Sequence, residues 1–379
     1  MKAVALIDGE HYAPVVRDAL AGLPYEWIGA ILVGGTEKLR EGADYGVPLV
    51  DGFGPAEIVV DLSDEPVLGP VERFRWASRA LAAGLPYVGA DFRFDPPELE
   101  PFGLPSIAVI GTGKRVGKTA LTAHLVRLLA GDRDVVVVAM GRGGPAEPEV
   151  IEVPPSLEEL VELSRAGRHA ASDHLEIAAL CGVPTIGCRR AGGGLAGAVF
   201  TSNVSAGARL AEARGPDVVV FDGSGAAIPP VDTDSRVLVV GRGTEADAYL
   251  NTYRRLISDV VVAVGCDVPG AISAELRLRP TARLDGRVAV FTAGSTDVGH
   301  LDADVVHVSA NLADRNALRR ELAATDADTY LVELKAAAID VVAEHAAANG
   351  KRVVLAANDV VADGLDEVLL SLVPEKAPV

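Results

Sequence analysis

The chain has 379 residues, more than one hydrophobic core usually serves, so its length predicts two or three domains. Its 53 acidic residues outnumber 35 basic ones, and the net charge of −18 argues against binding to nucleic acid or to an anionic membrane. No apolar run approaches the roughly 18 residues that a membrane-spanning helix needs, and the chain opens with a strand pattern, so we expect a cytoplasmic protein.

The first hundred residues predict an α/β domain. The predicted elements alternate: a strand at 2–8, a helix at 14–23, strands at 27–35 and 57–64, a helix at 73–84 and a strand at 86–91. Strands that alternate with helices favour a parallel sheet. The proline-rich stretch at 95–105 interrupts this pattern, so we predict a Rossmann-like domain over residues 1–100.

A glycine-rich segment follows the next predicted strand. The strand SIAVI leads into GTGKRVGKT at 111–119 and then into a helical pattern. Backbone N–H groups in such a turn, together with the helix N-terminus, bind phosphate oxygens, so we predict a P-loop for ATP. Thr112 replaces the first glycine of the strict GxxxxGK[ST] pattern, with Gly111 beside it. The predicted nucleotide-binding residues are Gly111, Thr112, Gly113, Lys114, Arg115, Val116, Gly117, Lys118, Thr119 and Ala120.

The chemistry of ATP gives some of these residues individual roles. Lys118 is predicted to reach the β- and γ-phosphates, and the Thr119 hydroxyl to ligate Mg²⁺. Lys114 or Arg115 is a further catalytic candidate, since either cation can stabilise the γ-phosphoryl group. Asp222 ends an apolar strand about a hundred residues further on, and we predict that it holds Mg²⁺ together with Thr119.

From residue 106 the chain continues as a second α/β run to its C-terminus. Further strands are predicted at 134–140, 217–223, 236–241, 259–265, 287–294, 303–309, 329–335 and 352–359. The last four could form a separate lobe, and the sequence leaves this open. We predict a P-loop core over 101–284 and a C-terminal α/β region over 285–379 that packs on that core or continues it.

Several segments place cations beside glycine, as binding of a small anionic substrate by an acidic protein requires. Guanidinium groups bind phosphate or carboxylate bidentately, and glycine permits close approach. Arg142 follows a strand in MGRGGP, and Arg189 and Arg190 precede three glycines in IGCRRAGGG. We therefore predict that these arginines contact the substrate.

Other polar groups lie at predicted strand ends or helix starts. The segment GRHAASDHLE carries His169, Ser172, Asp173 and His174, and its last histidine is either a substrate ligand or a capping residue. Lys335 follows a strand, with Glu333 before it and Asp340 after it, and the N-terminal DGEHY follows another strand. The predicted substrate-binding residues are Arg142, His174, Arg189, Arg190, Lys335, Asp8, Glu10 and His11.

The spacing of the predicted P-loop distinguishes branches of the P-loop enzymes. It resembles the loop of dethiobiotin synthetases, G-T-D-T-x-V-G-K-T, which matches Gly111, Thr112 and the residues 116–119. Those enzymes phosphorylate an acid and then close a ring on the activated group. Partitioning and metal-insertion ATPases carry a signature lysine where this chain has Gly113, and the guanine motif NKxD is absent from the sequence. A nucleotide switch or metallochaperone is therefore the less favoured alternative.

Six segments together resemble the cyclic 2,3-diphosphoglycerate synthetase family. They are ALIDGEHYAPVVRDAL at 5–20, VIGTGKRVGKTA at 109–120, VAMGRGGP at 138–145, HAASDHLE at 169–176, GCRRAGGGLAG at 187–197 and LVELKAAAIDVV at 331–342. Because they span both ends of the chain, the resemblance covers nearly the whole protein. The segments GCRRAGGG and ELKAAAID are more specific to the family than the P-loop is.

The resemblance implies a ligase that converts ATP and 2,3-bisphosphoglycerate to cyclic 2,3-diphosphoglycerate, ADP and phosphate, with Mg²⁺. In a plausible route one substrate phosphate attacks the γ-phosphoryl group, and the other phosphate then closes the ring and expels inorganic phosphate. Such a substrate carries about five negative charges near neutral pH, which accounts for arginine beside glycine in an acidic chain. We also expect a homodimer. The main alternative is another P-loop kinase or ligase that activates a different small phosphorylated or carboxylic acid.

Overall fold

The computed structural model describes residues 1–167, 172–335 and 338–373 of the chain. It has two compact units. The first comprises Met1–Glu98, Gly194–Ala198 and Thr244–Ser258, and the second comprises Leu99–Gly193, Val199–Gly243 and Asp259–Val379. No helix in the described part of the chain has the length and apolarity that crossing a membrane requires.

Helices and strands alternate along most of the chain. The helices are α1 Ala13–Gly22, α2 Pro70–Ala82, α3 Lys118–Leu129, α4 Leu157–Arg165, α5 Asp173–Cys181, α6 Val204–Arg214, α7 Asn251–Leu256, α8 Arg315–Ala324, α9 Glu344–Ala348 and α10 Leu365–Ser371, and a π-helical segment, Ala338–Ala343, precedes α9. The strands are β1 Lys2–Ile7, β2 Glu26–Leu32, β3 Ile58–Asp61, β4 Tyr87–Val88, β5 Arg93–Phe94, β6 Glu100–Pro101, β7 Ser106–Gly111, β8 Val135–Gly141, β9 Glu149–Ile151, β10 Thr185–Ala191, β11 Thr201–Ser202, β12 Val218–Asp222, β13 Val231–Asp232, β14 Ser235–Gly241, β15 Val260–Val264, β16 Ile272–Pro280, β17 Arg287–Phe291, β18 Asp304–Ser309, β19 Thr329–Glu333 and β20 Arg352–Val361. The predicted α/β class is confirmed.

The first unit is built on one small sheet with the order β2-β1-β3-β4-β5. The first four strands are mutually parallel, and β5 runs antiparallel to β4. Side chains of β1 and α1, among them Ile7, Val16 and Leu20, form its main core. The predicted parallel sheet is therefore present, while the closer description as Rossmann-like stays a prediction.

A short helix from the middle of the chain belongs to this first unit. Helix α7 packs on α2, and the rings of Phe74 and Tyr249 meet edge to face at 5.8 Å. The residues Thr244–Ser258 therefore belong to the first unit. The predicted P-loop core, 101–284, had included them. The predicted boundaries near residues 100 and 284 stay predictions.

The second unit is built on one large sheet with the order β11-β10-β8-β12-β7-β14-β15-β16-β20-β19-β17-β18. Strands from β10 to β16 in this order are parallel, β16 meets β20 antiparallel, and β20, β19, β17 and β18 are again parallel. The C-terminal strands thus continue the sheet that carries the P-loop. Because helices cover a parallel sheet on its faces, strands such as β8 and β12 are buried along their whole length.

Candidate active site

The P-loop connects β7 to α3 in a tightly folded turn. A side chain at Gly111 would place its Cβ 2.8 Å from Lys118 Cδ, so glycine here lets the Lys118 side chain keep its position. Gly117 adopts a left-handed φ of +100°, and Arg115 is also left-handed at +59°. A Cβ on Gly241 would lie 2.5 Å from Val116 Cα, so the loop rests directly on the end of β14. The close packing holds the loop amides around one concave surface.

Lys118 folds back over this loop. Its Nζ donates a hydrogen bond of 2.9 Å to the Gly113 carbonyl oxygen, and the residue is only 8% exposed. Burial lowers the pKa of Lys118, while the nearby carboxylates of Asp222 and Asp173 oppose that change. The ammonium group therefore stands at the mouth of the loop, where the predicted phosphates would lie.

The predicted metal ligands also meet here. Asp222, the last residue of β12, is buried, and its Oδ1 accepts a hydrogen bond of 2.8 Å from Thr122 Oγ1. Burial, together with the negative charge of Asp173, raises the pKa of Asp222 to about 7. Thr119 lines the same cavity one residue into α3. A hydroxyl and a carboxylate with a second oxygen to offer are oxygen ligands of the kind that Mg²⁺ prefers, so these residues fit the ion.

Two arginines converge beside the P-loop. A Cβ on Gly225 would lie 2.7 Å from Arg142 Nη2 and 3.3 Å from Arg190 Nη2, so both guanidinium groups face one spot. Arg190 donates to the carbonyl oxygens of Gly192 and Ser224, at 2.9 and 2.8 Å. Burial lowers the pKa of Arg190, and the like charge of Arg142 contributes. In the described chain neither arginine forms an ion pair with a carboxylate, which makes this spot suitable for an anion.

The P-loop, Asp222 and Arg142 line one cavity, which has a volume of about 1480 Å³ and lies within the second unit. Its far wall comes from the C-terminal strands: the loop 292–297 after β17, and Glu333 to Lys335 after β19. Glu333 Oε2 accepts a bond of 2.7 Å from the Ala293 amide, which ties the two strand ends together. The loop 292–297 was not among the predicted site segments, although TAGSTD is a run of small residues that directly follows an apolar strand.

Lys335, predicted to bind substrate, lines this wall in an ion pair. Its Nζ lies 2.6 Å from Glu176 Oε1, and the Glu176 side chain is 10% exposed. Burial acts to lower the pKa of Lys335, but the Glu176 carboxylate outweighs it and the pKa is raised. Lys335 is thus a fixed cation at the cavity wall, and Glu176 is a partner that the sequence did not indicate.

Three predicted substrate residues, Arg189, Arg190 and His174, do not line the cavity itself, although the Arg190 guanidinium reaches its edge at Gly225. Arg189 and Arg190 are adjacent in β10, so their side chains point to opposite faces, and the Arg189 side chain is exposed. His174 is buried with its ring against β10, where a Cβ on Gly187 would meet His174 Cδ2 at 2.5 Å. Its Nδ1 is 3.1 Å from Ser172 Oγ. The geometry therefore gives His174 a packing role, and His169 lies outside the described residues.

Asp8, Glu10 and His11 lie in the first unit and hold a turn together. Asp8 accepts from His11 Nδ1 at 2.8 Å and from the Asp64 amide at 2.7 Å. Burial acts to raise the pKa of Asp8, but these hydrogen bonds outweigh it and the pKa is lowered. Glu10 Oε1 accepts from the Thr36 amide at 3.1 Å. These hydrogen bonds stabilise a turn at the end of β1, and each of the three side chains has a structural role there or beside it.

Comparison with known proteins covers nearly the whole chain. Family models match three segments: "Cyclic 2,3-diphosphoglycerate synthetase, N-terminal domain" at 2–56 and 53–95, the P-loop domain of the same family at 106–278, and its C-terminal domain at 296–359. A cyclic 2,3-diphosphoglycerate synthetase of Rubrobacter xylanophilus is 47% identical over 98% of this chain and 97% of its own length.

Archaeal relatives with the same name are also similar. The protein of Pyrococcus horikoshii is 41% identical over 93% of this chain and 91% of its own, and that of Methanothermus fervidus is 37% identical over 94% and 92%. A solved structure of LpxK from Aquifex aeolicus in complex with ATP covers 73% of this chain and 90% of its own at 13% identity, but its TM-score of 0.42 is too low to carry an argument. On the family models and the relatives, the chain belongs to the cyclic 2,3-diphosphoglycerate synthetase family.

Proposed function

We propose that this protein is an ATP-dependent ligase that closes 2,3-bisphosphoglycerate to cyclic 2,3-diphosphoglycerate, with release of ADP and phosphate. The observation that carries the proposal is that Arg142 lines one cavity with the P-loop, and that Arg190 converges with it on Gly225 at the edge of this cavity. A cation pair next to a nucleotide site suits an acceptor that is itself a phosphate. The names of the relatives supply the identity of that acceptor.

In this proposal the P-loop side of the cavity binds the nucleotide. The loop amides and Lys118 hold the phosphates of ATP, and Thr119 and Asp222 hold Mg²⁺. Bound there, Mg²⁺ neutralises charge on the phosphates during transfer. Lys114 and Arg115 also line the cavity, and either cation can approach the γ-phosphoryl group.

The opposite side of the cavity binds the substrate. Arg142 and Arg190 hold one phosphate beside the γ-phosphoryl group, and Lys335 at the far wall attracts the remaining charge of the substrate. One phosphate attacks the γ-phosphorus, and the other then attacks the activated phosphorus and closes the ring. Because transfer of a phosphoryl group needs little covalent help, these residues act by positioning and by charge neutralisation.

Product stoichiometry tests this proposal against the alternative of a simple kinase. With 2,3-bisphosphoglycerate, ATP and Mg²⁺, a cyclising ligase releases one inorganic phosphate for each ADP, and its product is lighter than the substrate by one water. A kinase releases ADP without phosphate and yields a heavier product. Equal release of ADP and phosphate with a substrate that returns unchanged would indicate an ATPase and would contradict the proposal.

Two further expectations concern the assembly and the compartment. We propose a homodimer that works in the cytoplasm, where ATP is available. Sedimentation equilibrium of the purified chain tests the first expectation, and a mass of a single 39.2 kDa chain at all concentrations would contradict it.

A further inference from the structure

One carboxylate that lines the cavity, that of Asp173, is neither a predicted metal ligand nor a predicted substrate ligand. Asp173 is the first residue of α5, and its Oδ2 would lie 3.3 Å from a Cβ on Gly141, at the carboxyl end of β8. It lines the cavity next to Arg142. Within residues 1–167, 172–335 and 338–373, no donor bonds to its carboxylate. The carboxylate is therefore available to a substrate bound in the cavity.

Charged groups from several elements surround this carboxylate. Four cations act on it: Lys335 after β19, Lys118 in α3, Arg142 after β8 and Arg190 in β10. Two acids, Asp222 of β12 and Glu176 one turn along α5, also interact with it. Burial raises the pKa of Asp173 although the cations act to lower it. A carboxyl group in this setting can exchange a proton with phosphate, whose second pKa is ~6.

The surrounding structure holds Asp173 in place. Ser172 Oγ and His174 Nδ1 bond at 3.1 Å on either side of it, and the His174 ring is clamped over Gly187. The first turn of α5 is thus fixed against β10 by buried contacts. His174 is accordingly a positioning residue for Asp173. This role accounts for a buried histidine that lies near the cavity but does not line it.

The reaction under "Proposed function" creates a need for such a group. In ring closure the departing phosphate would leave with three negative charges unless a proton reaches it. The attacking phosphate of the first step, if it carries a proton, must lose one. A single group near both reacting phosphates can take the first proton and supply the second.

We propose that Asp173 is a catalytic residue that relays one proton between the two steps. In the first step a substrate phosphate oxygen bonds to the γ-phosphorus, the bond from that phosphorus to ADP breaks with its electron pair on ADP, and the phosphate proton moves to Asp173. In the second step the other phosphate bonds to the activated phosphorus, the bond to the transferred phosphate breaks, and the proton moves from Asp173 to the departing phosphate. This inference rests on the proposed function.

The test compares Asp173→Asn, which keeps the shape but cannot carry the proton, with Asp173→Glu and with Asp302→Asn. Asp302 is an exposed carboxylate that does not line the cavity. We expect kcat of Asp173→Asn to fall on the order of 100-fold or more, with KM for ATP and thermal stability close to wild type. Asp173→Glu should recover part of the rate, and Asp302→Asn should match wild type.

The pH profile separates proton transfer from a structural role. Asp173 must be ionised to accept the proton, so kcat of the wild type should rise with pH through the pKa of Asp173, and Asp173→Asn should lose that limb. The proposal would be overturned if kcat of Asp173→Asn stayed within about threefold of wild type. It would also be overturned if kcat fell but still rose with pH as in the wild type. The same experiment tests the proposed function separately. If the wild type consumes ATP but forms no cyclic product, the proposed function is wrong, while ADP release by Asp173→Asn still tests the role of Asp173 in the first step.

Discussion

Thr122 and Asp222 are joined by a buried hydrogen bond of 2.8 Å between Thr122 Oγ1 and Asp222 Oδ1. Thr122 lies on α3, one turn after Thr119, so the helix that carries one predicted metal ligand also orients the other. The bond acts to lower the pKa of Asp222, against the effect of burial. It thereby favours the ionised carboxylate that a metal ion needs.

Replacing Thr122 with valine keeps the shape of the side chain and removes the donor. We expect a loss of about 1–3 kcal/mol in the free energy of unfolding, because a buried acceptor loses its partner. We also expect half-maximal activity to require more Mg²⁺. Chemical denaturation and a titration of activity with Mg²⁺ measure these effects, with Thr122→Ser as the control that keeps the hydroxyl. An unchanged Mg²⁺ requirement in Thr122→Val would contradict the predicted metal site.

Substitution of Arg142 or Arg190 should weaken substrate binding, whereas substitution of Arg189, the neighbour of Arg190 in β10, should not. Arg142→Ala or Arg190→Ala should each raise KM for 2,3-bisphosphoglycerate by about tenfold or more, because a charge-assisted hydrogen bond contributes about 1.5–3 kcal/mol. Arg189→Ala is the matched control, since its side chain is exposed and points to the opposite face of β10 from Arg190. Steady-state kinetics with varied substrate decide the question. Equal effects at Arg189 and Arg190 would mean that the substrate binds elsewhere.

Arg115 allows stability and activity to be separated. Its left-handed backbone, with φ of +59°, is unfavourable for arginine and natural for glycine. In Arg115→Gly the relief of strain offsets the greater chain entropy of glycine, so we expect an unfolding free energy within about 1 kcal/mol of wild type. We expect kcat to fall, because a cation facing the γ-phosphoryl group is lost. Full activity in Arg115→Gly would show that this side chain does not assist the transfer and would leave Lys114 as the candidate.

The packing role of His174 predicts a cost at Gly187. In Gly187→Ala the new Cβ would meet His174 Cδ2 at 2.5 Å, so the ring or the strand must move. We expect a loss of about 1–3 kcal/mol in stability from this overpacking. Thermal unfolding measures it, and Gly22→Ala serves as the control because no atom lies within 4 Å of its Cβ. A neutral Gly187→Ala would contradict the clamped position of the ring.

The α/β fold and part of the site could be predicted because their signals are local. Apolar runs such as those of β8 and β12 must be buried on both faces whatever surrounds them. Asp222 at the end of β12 and the P-loop that follows β7, with Lys118, then meet at one edge of a parallel sheet. The pattern of arginine beside glycine indicated Arg142 and Arg190 as substrate-binding candidates, and the resemblance to the family includes the same two segments.

The parts of the site that were missed depend on contacts between distant residues. Thr122 is 100 residues from Asp222, and Glu176 is 159 residues from Lys335. Thr122 and Glu176 lie within ordinary helical patterns, so the surrounding sequence does not mark either residue as part of the site. Arg189 is a different case, since the alternation of side chains along a strand separates it from Arg190 and could have been applied to the sequence.

The most direct measurement of the central claim is phosphorus NMR of the purified protein with ATP, Mg²⁺ and 2,3-bisphosphoglycerate, beside Lys118→Ala. The account predicts a new cyclic-anhydride resonance that grows together with ADP and inorganic phosphate in the wild type and is absent in Lys118→Ala. ATP consumption only with a different acid would contradict the substrate assignment. Formation of the cyclic product by Lys118→Ala at the wild-type rate would contradict the placement of the reaction at the P-loop.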